Sequence, residues 1–138
     1  MLPVDDALTG PLLNGAGSLA YSGNWTTGAV SGAYNGSVHF TTATGANAKL
    51  TNVTYNVTAD VVWMATKGPD RGIATVTVDG VAQTVDLYAP TVQAAQVVFA
   101  SNGLRGGAQH TVQVTATGTR NAASTGVRVD LDGFVAIR

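Results

Sequence analysis

Apolar and polar residues alternate strictly in three separate stretches of this 138-residue chain, and no other feature constrains its fold as much. In GIATVTVDG (72–80), Ala74, Val76 and Val78 fall on one side, and Thr75, Thr77 and Asp79 on the other. HTVQVTATG (110–118) repeats the pattern, with Val112, Val114 and Ala116 against Thr111, Gln113, Thr115 and Thr117. GVRVDLDGFVAI (126–137) sets Val127, Val129 and Leu131 against Arg128, Asp130 and Asp132. A period of two sends successive side chains to opposite faces of a strand. One apolar and one polar face is what an antiparallel sheet needs to cover a core and meet water.

Turn chemistry separates these runs. Asp79-Gly80 joins two strand-like segments and predicts a two-residue hairpin. SNGLRGGAQ (101–109) and TGTRNAASTG (117–126) read as longer polar loops, and 48–66 reads as two strands with a turn near Thr58-Ala59-Asp60. Further strands are expected at Leu19–Trp25, Ser37–Thr42 and Gln96–Ala100. All eight acidic residues are aspartates, and Thr, Val, Gly and Ala take the place of good helix formers. The expectation is an all-β fold, an antiparallel β-sandwich or jelly roll of about eight strands. Residues 19–138 form one domain in this reading, and residues 1–18 an N-terminal arm containing PLLNGAG.

Composition excludes several classes. Net charge is −1 and the seven basic residues are scattered, so nucleic acid is not the expected partner. Cysteine is absent, which removes disulfides, thiol nucleophiles and zinc–thiolate sites. Apolar runs last only a few residues, too short for membrane insertion as a helix. MLPVDDALTG has neither the basic start nor the apolar stretch of a secretory signal, so either a signal has been removed or the protein travels within something larger. Catalysis is not expected, because there is no glutamate and no close aspartate pair in a polar loop. His39 and His110 fall in or beside strand-like runs, with no G-x-S-x-G motif near them. Four N-x-[ST] sequons are read as incidental in so threonine-rich a chain.

One cluster stands out in a chain only 11% charged: ATKGPDRG (65–72) holds Lys67, Asp70 and Arg71 in one short connection. Charged groups there offer strong hydrogen bonds to a ligand. Equally, Gly68-Pro69 is turn chemistry, and the three ions are consistent with a structural pair at a turn.

YSGNW (21–25), SGAYNGSVHFTTATGA (31–46), VVWMATKGPDRGIATVTVDG (61–80), VDLYAPT (85–91) and TVQVTATGTRNAASTGVRVDLDGFV (111–135) occur in an order that resembles the galactose-binding-like jelly-roll domains appended to bacterial glycosidases and other exported proteins. Many such relatives are carbohydrate-binding modules, so the resemblance implies glycans as partners and an extracellular, cell-surface or virion-surface location. Trp25, Tyr34 and Tyr88 are then the expected platforms for sugar rings, with Lys67, Asp70, Arg71 and Asn121 bonding hydroxyls. Trp63, between Val62 and Met64, is expected in the core. Some relatives hold a structural calcium near their last strands, which makes Asp130 and Asp132 candidate ligands; Arg128 beside them favours an ion pair instead. The functional expectation is a non-catalytic carbohydrate-binding module that attaches an exported protein or particle to glycans. Its rival is a structural module of a virion or cell-surface assembly (decoration, tail or adhesin component), self-associating or docking through residues 1–16.

Overall fold

The computed structural model describes residues 3–5, 10–11, 18–54, 60–101 and 109–137. Their strands are β1 (Pro3–Asp5), β2 (Gly10–Pro11), β3 (Ser18–Ser22), β4 (Thr26–Ala29), β5 (Ser37–Thr41), β6 (Asn47–Thr54), β7 (Asp60–Lys67), β8 (Ile73–Val78), β9 (Val81–Asp86), β10 (Gln93–Ala100), β11 (Gln109–Thr119), β12 (Val129–Leu131) and β13 (Gly133–Ile137). One 3-10 turn, Tyr34–Gly36, is the only helical element among the described residues. No helix there is long and apolar enough to cross a membrane.

One layer is the six-stranded sheet β2-β3-β6-β11-β8-β9. The other combines a four-stranded sheet, β1-β13-β7-β10, with a three-stranded one, β12-β5-β4. Every strand pairing is antiparallel. The sandwich predicted from alternation is therefore present. Val112, Val114 and Ala116 of β11 and Ala74 and Val76 of β8 are buried, while the threonines between them stay partly exposed. Trp63 on β7 and Phe134 on β13 are register partners and fill the opposite side of the core. Asp79 (φ 50°) and Gly80 (φ 86°) both take left-handed backbone, the geometry that a two-residue hairpin between right-twisted strands demands.

Two sequence expectations change. The stretch 126–137 is not one strand: it breaks at Asp132, whose N–H donates to Met64 O, and β12 and β13 enter different sheets. Its polar side is not solvated either, for Asp130 and Asp132 have no exposure at all. The other change lies at the N-terminus. Pro3–Asp5 pairs with β13, and Gly10–Pro11 with β3, so these parts of the expected arm extend sheets of their own chain. The turn expected near Thr58-Ala59-Asp60 falls largely outside the described residues, and Asp60 already belongs to β7.

Candidate functional site at the loop end of the sandwich

Three connections gather beyond Ile73, where β8 begins. Residues 67–72, 86–92 and 119–128 are tied by main-chain bonds: Gly68 N–H to Leu87 O, Ala89 N–H to Gly68 O, Gly72 N–H to Arg128 O and Thr125 N–H to Pro69 O. Two glycines permit the approach. A Cβ on Gly72 would lie 2.6 Å from Val127 O, and one on Gly126 would lie 2.8 Å from Asp70 O. Ser124 locks the arrangement from inside, its buried Oγ within reach of the carbonyls of Arg71 (2.7 Å), Gly126 (2.9 Å) and Pro69 (3.1 Å). It donates to one of them at a time.

The cluster that stood out in the sequence is mostly structural. Arg71 is only 4% exposed; it donates from Nη2 to Asp130 Oδ2 at 3.0 Å and from Nη1 to Asp70 Oδ1. Arg128 reaches the same buried aspartate from its other side, Nε to Oδ1 at 2.7 Å, with its guanidinium 3.9 Å from the Phe40 ring centroid. Burial pushes the Asp130 carboxyl up, against the opposing pull of Arg128 and Arg71. Lys67 is different. It is half-buried, and its ammonium makes no ion pair or hydrogen bond among the described residues.

This network occupies one of the two expected calcium ligands. Both oxygens of Asp130 face guanidinium groups, and a divalent cation placed there would meet two fixed positive charges. Asp132 accepts the Tyr34 N–H at 3.1 Å from within the protein. No group of three or more candidate ligands forms among the described residues. At Asp130 the structure contains the ion pair with Arg128 and a second one with Arg71.

The structure separates the aromatic candidates. Trp25 donates from Nε1 to Ser22 O and tilts against Tyr21 at 5.2 Å, while Tyr21 stacks on His39 at 4.3 Å. All of this lies at the β4 start of the β4–β5 hairpin. Tyr34 sits in the connection at the other end of that hairpin, 43% exposed. Four register pairs lie between them, more than about 10 Å of strand, so one sugar ring cannot stack on both. The turn carrying Tyr34 rests by Ala94, next to Gln93, the register partner of Lys67. Tyr88 is also here, bridged to Gly68, its N–H bonded to Asp86 Oδ1.

Asn121 joins this end, and its amide takes part in the scaffold. Nδ2 donates to Asp86 Oδ2 at 2.9 Å, and Oδ1 accepts the Ala123 N–H. Asp86 is thus a positioning residue that the sequence reading missed. Its signal was an aspartate two residues before Tyr88, the spacing of a side-chain turn onto backbone. Val92, 62% exposed beside Gly68, was missed as well; an isolated valine in a loop carries no signal.

No family model matches the sequence, and no curated protein matches it significantly. Solved structures do. Paenibacillus xanthan lyase aligns over 98% of this chain with a TM-score of 0.70 at 17% identity, and the chain spans 13% of that enzyme's length. CBM35 from Cellvibrio japonicus Abf62 aligns over 99% of this chain and 93% of its own, with a TM-score of 0.62 at 16% identity. The family 35 carbohydrate-binding module from Clostridium thermocellum aligns over 87% and 92%, with a TM-score of 0.57 at 10% identity. The fold is therefore an antiparallel β-sandwich of the kind that these two carbohydrate-binding modules also have.

Proposed function

We propose that the chain is a non-catalytic carbohydrate-binding module that holds an exported protein or particle on glycans through its loop end. The observation that carries this reading is the surface left there once the scaffold is built. Tyr34 and Val92 stand exposed, Tyr88 is half-exposed, and Lys67 is an uncommitted cation beside them. A pyranose presents an apolar face to an aromatic ring and hydroxyls to polar groups, which this combination matches. Asp70, Arg71 and Asn121 act as positioning residues, because their polar atoms already hold the loops. Two whole modules of carbohydrate-binding class share the fold over nearly their full length, which supports the same reading.

Catalysis is disfavoured by the state of the carboxylates. Asp70 and Asp130 are paired with arginine, and Asp86 accepts from Asn121 and Tyr88. Affinity for one glycan chain is expected on the order of micromolar to millimolar, since a few stacked rings barely exceed the cost of immobilisation. Several copies acting together would supply the retention. The assembly reading has less support, because Pro3–Asp5 and Gly10–Pro11 already pair within their own chain. A glycan array probed with the intact protein tests the proposal. It should bind a defined set of polysaccharides, with binding weakened by Tyr34→Ala and by Lys67→Ala; an array without signal contradicts it.

A further inference from the structure

At the opposite end of the sandwich, past the Asp79-Gly80 turn, a cleft of about 340 Å³ opens between the β8–β9 hairpin and the end of β10. β9 and β10 are edge strands of opposite layers, so the cleft marks the place where the sandwich stays unzipped. Its apolar lining includes Val78, Val81 and Phe99; its polar groups come from Asp79, Gln83 and Ser101. Phe99 is half-buried and packed on the core, whereas Val81 is 66% exposed, an unusual place for a large apolar side chain without a partner.

The polar groups are placed for hydroxyls. Asp79 is held rigidly, Oδ1 accepting the Thr111 N–H at 2.9 Å and Oδ2 2.6 Å from His110 Nδ1. Each oxygen keeps a further lone pair. The exposed Gln83 amide has no partner among the described residues, so it offers both donors and an acceptor. Ser101 borders the cleft but is buried, its Oγ accepting the Val61 N–H at 2.8 Å. Among the described residues no lysine or arginine lines the cleft, and the Asp79 carboxylate would repel an anionic sugar. A volume near the lower end of the ~300–1,000 Å³ range of ligand pockets suits one ring with its neighbours in solvent.

We propose that this cleft is a second glycan subsite that takes a neutral pyranose unit; the inference rests on the carbohydrate-binding reading above. The six residues of β8, roughly 20 Å, separate it from the loop end, too far for one sugar ring to reach both. The module would then grip a polysaccharide surface at two points, binding insoluble glycan more tightly than any single oligosaccharide.

The test is an amide-resolved NMR titration of the intact protein with four neutral tetraoses (gluco-, xylo-, manno- and galacto-configured) and with tri-galacturonate. At least one neutral tetraose should shift the amides of Asp79, Gly80, Gln83 and Ala100, and tri-galacturonate should not. Gln83→Ala, at an exposed position, should weaken that response roughly fivefold, the worth of one neutral hydrogen bond, and leave loop-end shifts unchanged. Shifts confined to the loop end overturn the second subsite and leave the first reading standing. Shifts confined to the hairpin support the subsite and remove the loop-end site. Silence with all four tetraoses overturns both, and an unaltered response in Gln83→Ala overturns the subsite.

Discussion

The loop end and the hairpin end of this sandwich use their polar groups in opposite ways. At the loop end, Asp70, Arg71, Arg128, Asp130, Asp86 and Asn121 bond one another and hold three connections in place. At the hairpin end, among the described residues, the polar groups are few, yet the Gln83 side chain stands exposed at an open cleft. Crowded charge in a sequence therefore marked scaffold here. The surfaces suited to a ligand are what that scaffold leaves uncommitted: Tyr34, Lys67 and Val92 at one end, Phe99, Val81 and Gln83 at the other.

The largest effect should come from the heart of the loop end. Asp130→Ala leaves two arginines facing each other around a buried void and should cost about 3–5 kcal/mol in urea unfolding. Replacing Arg71, Arg128 and Asp130 together by apolar residues of similar volume should cost far less, because a buried ion cluster only partly repays its desolvation. A single-variant loss below about 1 kcal/mol would mean that the network is not the scaffold described.

Ser124→Ala comes next. It leaves the buried Arg71 carbonyl without its hydroxyl and should cost roughly 1–3 kcal/mol, with faster hydrogen exchange at the Gly72 and Thr125 amides. Unchanged exchange would show that main-chain bonds alone hold the loops.

How much of this was legible in the chain follows from distance. The alternation of β8 and β11, the hairpin at Asp79-Gly80 and the burial of Trp63 rest on local spacing, and all of them are present. The role of Asp130 was not legible. Aspartate at a strand position reads as solvated until its partner is known, and Arg71 lies 59 residues away. The break at Asp132 escaped for a similar reason, since it is set by Met64 O on another strand. The separation of Trp25 from Tyr34 depends on the β4–β5 pairing, which composition does not encode. The cleft had no signal of its own, being formed by the edges of two layers.

At the hairpin end the effect should be smaller and dependent on pH. Partial burial alone would raise the Asp79 carboxyl, but the Thr111 N–H and His110 outweigh it and hold it below 3.8. A depressed aspartate adds stability above its unfolded value, lost as pH falls through the folded one. Asp79→Asn should therefore be less stable than wild type near neutrality, with the difference shrinking below pH 3.8. Asp130, pushed up by burial, acts with opposite sign: its contribution is full below 3.8 and lost as pH rises through its raised value. Being common to both proteins, it cancels from the difference. A gap between them that does not vary with pH would contradict this account of Asp79.

The smallest change in stability should accompany the largest change in binding. Tyr34 is 43% exposed on a 3-10 turn, so Tyr34→Ala should alter unfolding by no more than about 0.5 kcal/mol. The central claim is that the loop end binds glycan, and affinity electrophoresis tests it most directly. Wild type, Tyr34→Ala and Lys67→Ala are run through gels cast with the polysaccharides found on the array. The account predicts retarded wild type and at least tenfold weaker retardation of Tyr34→Ala. Equal retardation of all three proteins would contradict it.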